Sequence, residues 1–250
     1  MMSYTDQSFF DARFEWGEAG LRALEPGAST TVIVDVLSFS TAVDVSVGRG
    51  ATVIPYRWRD ESAAQLAESR GALLAVGRRK VSAEHPYSLS PASLLELPRD
   101  RAIVLPSPNG STLSMIAAEL GAVVFAGCLR NASSVATACR EIGGPTLVIA
   151  AGERWEDVAN GPLRPALEDF VGAGAILAAL GASNPSPEAT AAISVFRDSK
   201  AVLHDRIANC ASGRELMEAG YRRDVAIAAE LDISIGVPRL VEGTYVNSRA

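Results

Sequence analysis

Histidine is nearly missing from this 250-residue chain, with His85 and His204 the only two. They are too few and too far apart for a histidine-rich metal site, the usual home of a transition metal. Cysteine is scarce as well. Cys128, Cys139 and Cys210 make an odd count without C-x-x-C spacing, which fits neither a disulfide framework nor a zinc knuckle and predicts reduced, buried thiols. Positive charge is in deficit, 23 Lys and Arg against 29 Asp and Glu for a net charge of −6. A chain built to neutralise nucleic-acid phosphates carries the opposite balance. Long apolar runs are also lacking: stretches such as Leu147 to Ala151 fall far short of the roughly 20 residues that span a bilayer. The opening MMSYTDQSFF has neither the basic start nor the apolar run of a secretory signal. These absences predict a cytoplasmic protein with no nucleic-acid and no membrane partner.

What is present is a good supply of core. Hydrophobic residues make up 48% and charged residues 21%, the composition of an ordinary globular protein and far from that of a disordered one. After an amphipathic opening in which Phe14, Trp16, Leu21 and Leu24 can share a helical face, Thr31 to Leu37 is β-branched and apolar, as a buried strand should be. Ser38 to Thr41 offers hydroxyl caps to a helix reaching Gly48, and Ala51 to Pro55 reads as the next strand. Glu61 to Arg70 reads as a helix and Ala72 to Val76 as a strand. The rhythm resumes with strands at Ala102–Leu105, Ala122–Ala126 and Thr146–Ala150, separated by helices near Thr112–Leu120 and Ser133–Ile142. Alternation of this kind predicts a three-layer α/β/α fold on a mainly parallel sheet. Two runs each begin with a strand ending in a Ser/Thr-bearing turn, Asp35 to Thr41 and Pro106 to Thr112, which allows two similar halves. From Leu167 the pattern is helical to Ala179, and again over Pro187–Phe196, Ala201–Asn209 and Gly213–Leu231. No low-complexity linker interrupts residues 1–250, so a single compact unit is expected.

In parallel α/β sheets, ligands bind beyond the carboxyl ends of the strands. Asp35 stands near such an end, inside an apolar stretch where a carboxylate must be paired, hydrogen-bonded or bound to a metal. It is either functional or a tie for a neighbouring loop. Ser107-Pro-Asn-Gly-Ser-Thr112 has the chemistry of a phosphate cradle: Asn109-Gly110 permits a tight turn, the helix start behind it presents free N–H groups, and Ser111 and Thr112 add hydroxyl donors. The competing reading is a plain turn with an N-cap. The same pair of readings applies to Ser38, Ser40 and Thr41. Glu153 follows another buried strand, and Glu168-Asp169 opens a helix; both spots can supply acids to a cation, although acids in a first helical turn also suit the helix dipole. With carboxylates as the candidate ligands, magnesium is the expected ion. Arg78-Arg-Lys80 is the densest positive cluster and suits a small anion, or else a solvated loop. Gly172-Ala-Gly174 fails as a dinucleotide fingerprint, because Leu177 holds the third glycine position, so small residues there are expected to let helices pack closely.

Taken together, these motifs resemble a known family. The Asp35-Val-Leu strand end, the Pro-Asn-Gly-Ser-Thr112 turn, Ala-Gly-Glu153, the segment Glu168-Asp169 to Gly174 and Leu231 to Pro238 occur in the order found in 2-phosphosulfolactate phosphatases, over nearly the whole chain. The resemblance implies magnesium-dependent hydrolysis of 2-phosphosulfolactate to sulfolactate and phosphate, a step of coenzyme M synthesis. With that reaction, the residues read above take these expected roles: Asp35 as nucleophile or cation ligand, Glu153 and Asp169 as further cation ligands, and Ser38, Ser40, Thr41, Arg78, Asn109, Gly110, Ser111 and Thr112 around a small phosphorylated acid. A homo-oligomer is compatible with all of this. The chain departs from the family pattern at Ser38, where an arginine is usual, and over Gly77 to Lys80, which bears on sulfonate specificity. The alternative function is a non-catalytic binder or sensor of a phosphorylated metabolite on the same fold.

Overall fold

The computed structural model describes residues 4–155 and 161–249. Its first block of sheet consists of β1 (Ala12–Trp16), β2 (Thr30–Val34), β6 (Val123–Gly127) and β7 (Thr146–Ala150), all parallel, in the order β1-β7-β2-β6. A second parallel block contains β3 (Thr52–Tyr56), β4 (Leu73–Leu74) and β5 (Ala102–Pro106), ordered β3-β5-β4. Between them lies the antiparallel hairpin of β10 (Pro238–Val241) and β11 (Thr244–Asn247), which pairs antiparallel with β6 on one side and β3 on the other. The result is one nine-stranded, mainly parallel sheet flanked by helices.

The side-chain period of two assigns each strand to its cores. In the first block Val32, Val34, Phe125, Val148 and Ala150 point into one apolar cluster, with the helices α6 (Ala132–Ile142), α7 (Leu167–Leu180) and α8 (Pro187–Ser199). The intervening Ile33, Val124, Ala126, Leu147 and Ile149 point into another. That second cluster also takes Val53, Ile103 and Leu105 from the other block. It is filled by α1 (Gly17–Leu24), α2 (Phe39–Gly48) and α5 (Gly110–Glu119). The two blocks therefore share one core, with α2 and α5 touching strands of both. Each fully buried aliphatic side chain there contributes about 1.5–3 kcal/mol. On the outer face of the second block, Ile54 and Val104 pack on Ala67 of α3 (Glu61–Ser69). Gly174 sits where α7 crosses α8: a Cβ there would collide with the Ala192 carbonyl, which accounts for the small-residue run.

Two expectations change. Phe14 and Trp16 lie on β1, and only Leu21 and Leu24 lie on α1; the strand is drawn into the sheet by its register with β7. The helix read over Gly213–Leu231 is two helices, α10 (Ala211–Glu218) and α11 (Arg222–Ala228), broken at Gly220 with φ +90°. A left-handed backbone there is open to glycine and ends the first helix. A short α4 (Pro91–Leu94), the helix α9 (Leu203–Asn209), single 3-10 turns at Arg78–Lys80, Leu129–Asn131 and Lys200–Val202, and a two-stranded ribbon of β8 (Glu153–Arg154) and β9 (Leu163–Arg164) complete the described elements. Among the described residues no helix is long and apolar enough to cross a membrane.

Candidate active site

The site is assembled where β2 turns into α2. Ser40 fastens that turn: its Oγ accepts the Asp35 N–H at 3.0 Å and donates to the Ile33 carbonyl at 2.9 Å. Thr41 Oγ1 donates to the Val36 carbonyl at 2.8 Å. These hydroxyls shape the loop that carries Asp35. The Asp35 carboxylate is buried between two helix starts, with Oδ1 accepting the Phe39 N–H of α2 at 3.0 Å and Oδ2 accepting the Gly110 N–H of α5 at 3.0 Å. Both helix dipoles favour negative charge at that point.

Other acids crowd the same floor. Asp169, in the first turn of α7, accepts the Val36 N–H at 2.7 Å on Oδ1 and the Gly152 N–H at 2.9 Å on Oδ2, so it joins the ends of β2 and β7. Glu168 is 1% exposed and accepts the Cys210 thiol at 3.2 Å. Glu153, on β8, accepts Asn109 Nδ2 at 3.1 Å. Burial, followed by the charges of neighbouring carboxylates, pushes the Glu153 carboxyl up to about 7. Burial likewise raises Asp169, helped by Glu168 and Asp35. Asp35 is raised by burial too, against the opposing pull of the Phe39 and Gly110 N–H groups. The Cys210 thiol is pushed up to about 12 by burial and by Glu168, which keeps it a protonated donor.

Above this floor opens a cleft of about 870 Å³. It brings together Asp35, Ser38, Arg78, Asn109 and Glu153 from the sequence-based set, and adds Arg59, Arg154, Arg164, Ser107 and Trp155. Arg78 donates through Nη2 to Ser38 Oγ at 2.8 Å; Arg79 and Lys80 are exposed and do not line the cleft. Ser111 is fully buried and donates to the Leu105 carbonyl at 3.0 Å, which ties the turn to β5. Thr112 lines a smaller neighbouring cleft of about 220 Å³ that shares Asn109 and Glu153 with the larger one. Gly110 presents its N–H to Asp35, and its missing side chain is what allows the approach: a Cβ would collide with the Phe39 ring and stand 2.9 Å from Asp35 Oδ2.

Glu168 reads from the sequence either as an acid for a cation or as a helix-dipole acid; its burial among three other acids, against Cys210 at the start of α10, is a matter of tertiary packing. The three additional arginines lie in segments with no local signature; only the meeting of the β3–α3 loop with the β8–β9 ribbon marks them. Among the described residues no three of His, Cys, Asp and Glu converge closely enough to hold a metal ion unaided. The chemistry available is that of a carboxylate held between helix starts, beside further acids, in an arginine-lined cleft. Such a site can orient a phosphate ester against a carboxylate and hold a cation through one or two acids together with the ester's own oxygens.

The family model for 2-phosphosulpholactate phosphatase matches residues 21–243. A 2-phosphosulfolactate phosphatase of Methanothermobacter thermautotrophicus is 27% identical over 217 residues, 87% of this chain and 89% of that one. A probable 2-phosphosulfolactate phosphatase of Thermotoga petrophila is 26% identical over 222 residues, 87% of this chain and 91% of its own. The matched span runs from within α1 to the turn after β10 and takes in every acid of the floor, so the chain belongs to the 2-phosphosulfolactate phosphatase family.

Proposed function

We propose that this protein hydrolyses a small acidic phosphate monoester, 2-phosphosulfolactate being the substrate best supported, to the hydroxy acid and phosphate. The observation that carries the reading is the placement of Asp35: its carboxylate is fixed between two helix starts at the floor of a cleft whose walls carry Arg59, Arg78, Arg154 and Arg164. Guanidinium groups neutralise and orient an anionic ester, and the acid is already aligned against it. Asp35 acts either as nucleophile, passing through an acyl phosphate, or as a cation ligand while water attacks. Trapping with hydroxylamine separates these routes, since only the first yields a modified Asp35.

Magnesium is the proposed ion. The donor set fits it: Asp35, Glu153, Glu168 and Asp169 are all oxygen ligands, and their mutual repulsion is what a divalent cation would relieve. Asp35 and Glu153, which reach the cleft, would hold it together with phosphate oxygens, while Asp169, whose two oxygens accept the Val36 and Gly152 N–H groups, would add its charge from behind them. The ion supplies charge neutralisation on the transferred phosphoryl group. The deciding measurement is phosphate release from 2-phosphosulfolactate, phosphoglycolate and a neutral alkyl phosphate, with magnesium and with a chelator. Release from the acidic esters only with magnesium supports the reading. Tight binding without release from any ester would assign the protein as a sensor instead.

A further inference from the structure

Asp224, in α11, is a buried aspartate with no part in the chemistry above. It is 1% exposed, and four donors converge on it. Oδ1 accepts the Ser90 hydroxyl at 2.5 Å and the Ala92 N–H at 3.2 Å. Oδ2 accepts Nε and Nη2 of Arg78 at 3.4 and 3.3 Å. The same guanidinium lies over the Tyr221 ring at 5.1 Å and donates through Nη2 to Ser38. A long, flexible side chain is thus held from three directions at the wall of the cleft.

Arginine has five N–H donors. The contacts to Asp224 and Ser38 engage Nε and Nη2, which leaves the Nη1 amino group for a ligand. Ser38 Oγ is the acceptor in its bond with Arg78, so its own proton is also left to donate. Two unlike donors, one charged and one neutral, then stand side by side at the rim, 40 residues apart in sequence. We propose that Asp224, with Tyr221, is a positioning residue that locks Arg78 against Ser38 and so preforms the subsite for the anionic group of the substrate remote from the phosphoryl group. This rests on the reading of the cleft as a site for a phosphorylated acid. Locking matters because an arginine that must be ordered at the moment of binding gives up much of its interaction to lost side-chain entropy.

The test is a double-mutant cycle on binding, with calorimetric Kd values for phosphoglycolate and for methyl phosphate as a neutral-ended control. Asp224→Asn keeps an acceptor toward Ser90 and Ala92 and turns an amide donor toward Arg78. It is expected to weaken phosphoglycolate about tenfold and methyl phosphate much less, with kcat little changed. Arg78→Ala should weaken phosphoglycolate at least as much and methyl phosphate much less, and the pair together should be no worse than Arg78→Ala alone. Equal losses from Asp224→Asn in the wild-type and Arg78→Ala backgrounds would overturn the proposal, because the aspartate would then act only through the fold. If Asp224→Asn does not fold, Tyr221→Leu enters the same cycle with the same expectation. A cycle that couples as expected in a protein releasing no phosphate from any ester would refute the phosphatase reading and leave the positioning role standing.

Discussion

Asp35 Oδ2 and the backbone N–H of Gly110 meet at 3.0 Å, although 75 residues separate them in the chain. The contact joins the turn after β2, in one parallel block, to the turn after β5, in the other. With Phe39 on Oδ1, the carboxylate acts as a shared cap for α2 and α5, the two helices that lie in the core common to both blocks. The acid proposed to react and the junction of the fold are therefore the same side chain, and perturbing one perturbs the other.

Gly110→Ala tests that junction. The added methyl has no room beside the Phe39 ring and Asp35, so α5 must retreat or the ring must leave its rotamer. Overpacking of this kind costs about 1–3 kcal/mol. The expected result is a lower Tm together with a loss of kcat, because Asp35 loses its second donor. A variant with unchanged Tm and turnover would show that the contact is dispensable.

Asp35→Asn should lower kcat at least about a thousandfold, an effect of about 4 kcal/mol on the barrier. An amide has one acceptor oxygen, and Asp35 receives an N–H on each of its two. One backbone donor is left facing an NH2 group, which removes about 1–3 kcal/mol of stability. The variant should therefore fold, melt earlier and fail to turn over. Retention of more than about a tenth of wild-type kcat, only about 1.4 kcal/mol, would remove Asp35 from the mechanism.

The strands most closely legible in the chain are those buried on both faces, while the half-buried edge strand β4 is legible over Ala72–Val76 but pairs only at Leu73–Leu74. Thr146–Ala150 is read to the residue, and β2, β3, β5 and β6 to within a few, because continuous β-branched runs bounded by Gly, Pro or Ser have one good solution in a covered parallel sheet. β1 was lost to a helical pattern, since Phe14 and Trp16 also fit a helix and only pairing with β7 decides the matter. The β10–β11 hairpin has only a short local signal, Glu242-Gly243 with φ +48° and +76° between two four-residue runs, and its place between β6 and β3 depends on pairing with strands distant in sequence. In the site, Asp35, Asn109 and Glu153 were legible as acids and turn residues at strand ends. Ser40, Thr41 and Ser111 were legible as hydroxyls, but their direction was not: each donates to a backbone carbonyl and builds the loop instead of facing the cleft. Direction depends on χ1 and on neighbours distant in sequence, which no local pattern encodes.

The acid floor has a consequence for stability. Glu153 is raised from 4.5 to about 7 in the fold, and Asp35 and Asp169 are raised with it. Between those limits the unfolded chain has released the Glu153 proton and the native state has kept it, so native stability falls as pH rises from about 4.5 to 7. For Glu153 alone the loss is about 3 kcal/mol. Denaturant titrations of metal-free protein from pH 4.5 to 8 should show that decline, and Glu153→Gln should flatten part of it. An unchanged slope in the variant would mean that Glu153 is not strained.

If magnesium binds among these acids, it favours their charged forms and should reverse the decline. At pH 8, millimolar magnesium or manganese is expected to raise Tm of the wild-type protein more than at pH 5, where the acids hold protons that compete with the ion. The same ions should support turnover, with zinc a poor substitute for want of thiolate or imidazole ligands. Full activity in excess chelator would refute the requirement.

The basic segment Arg78-Arg79-Lys80 allows a prediction in which neighbouring residues control for one another. Arg78 lines the cleft and contacts Ser38, whereas Arg79 and Lys80 are turned to solvent. All three carry the same charge, so a field effect on an anionic substrate would be shared among them, weakened by a Debye length of about 8 Å at physiological salt. A directed contact would belong to Arg78 alone. Arg78→Ala is accordingly expected to raise KM for phosphoglycolate about tenfold or more, to leave KM for a neutral alkyl phosphate within about twofold, and to change kcat little, the pattern of lost uniform binding. Arg79→Ala and Lys80→Ala should shift both substrates slightly, and those shifts should vanish at high salt. Equal, salt-sensitive changes in all three variants would reduce Arg78 to one more surface charge and remove it from the substrate site.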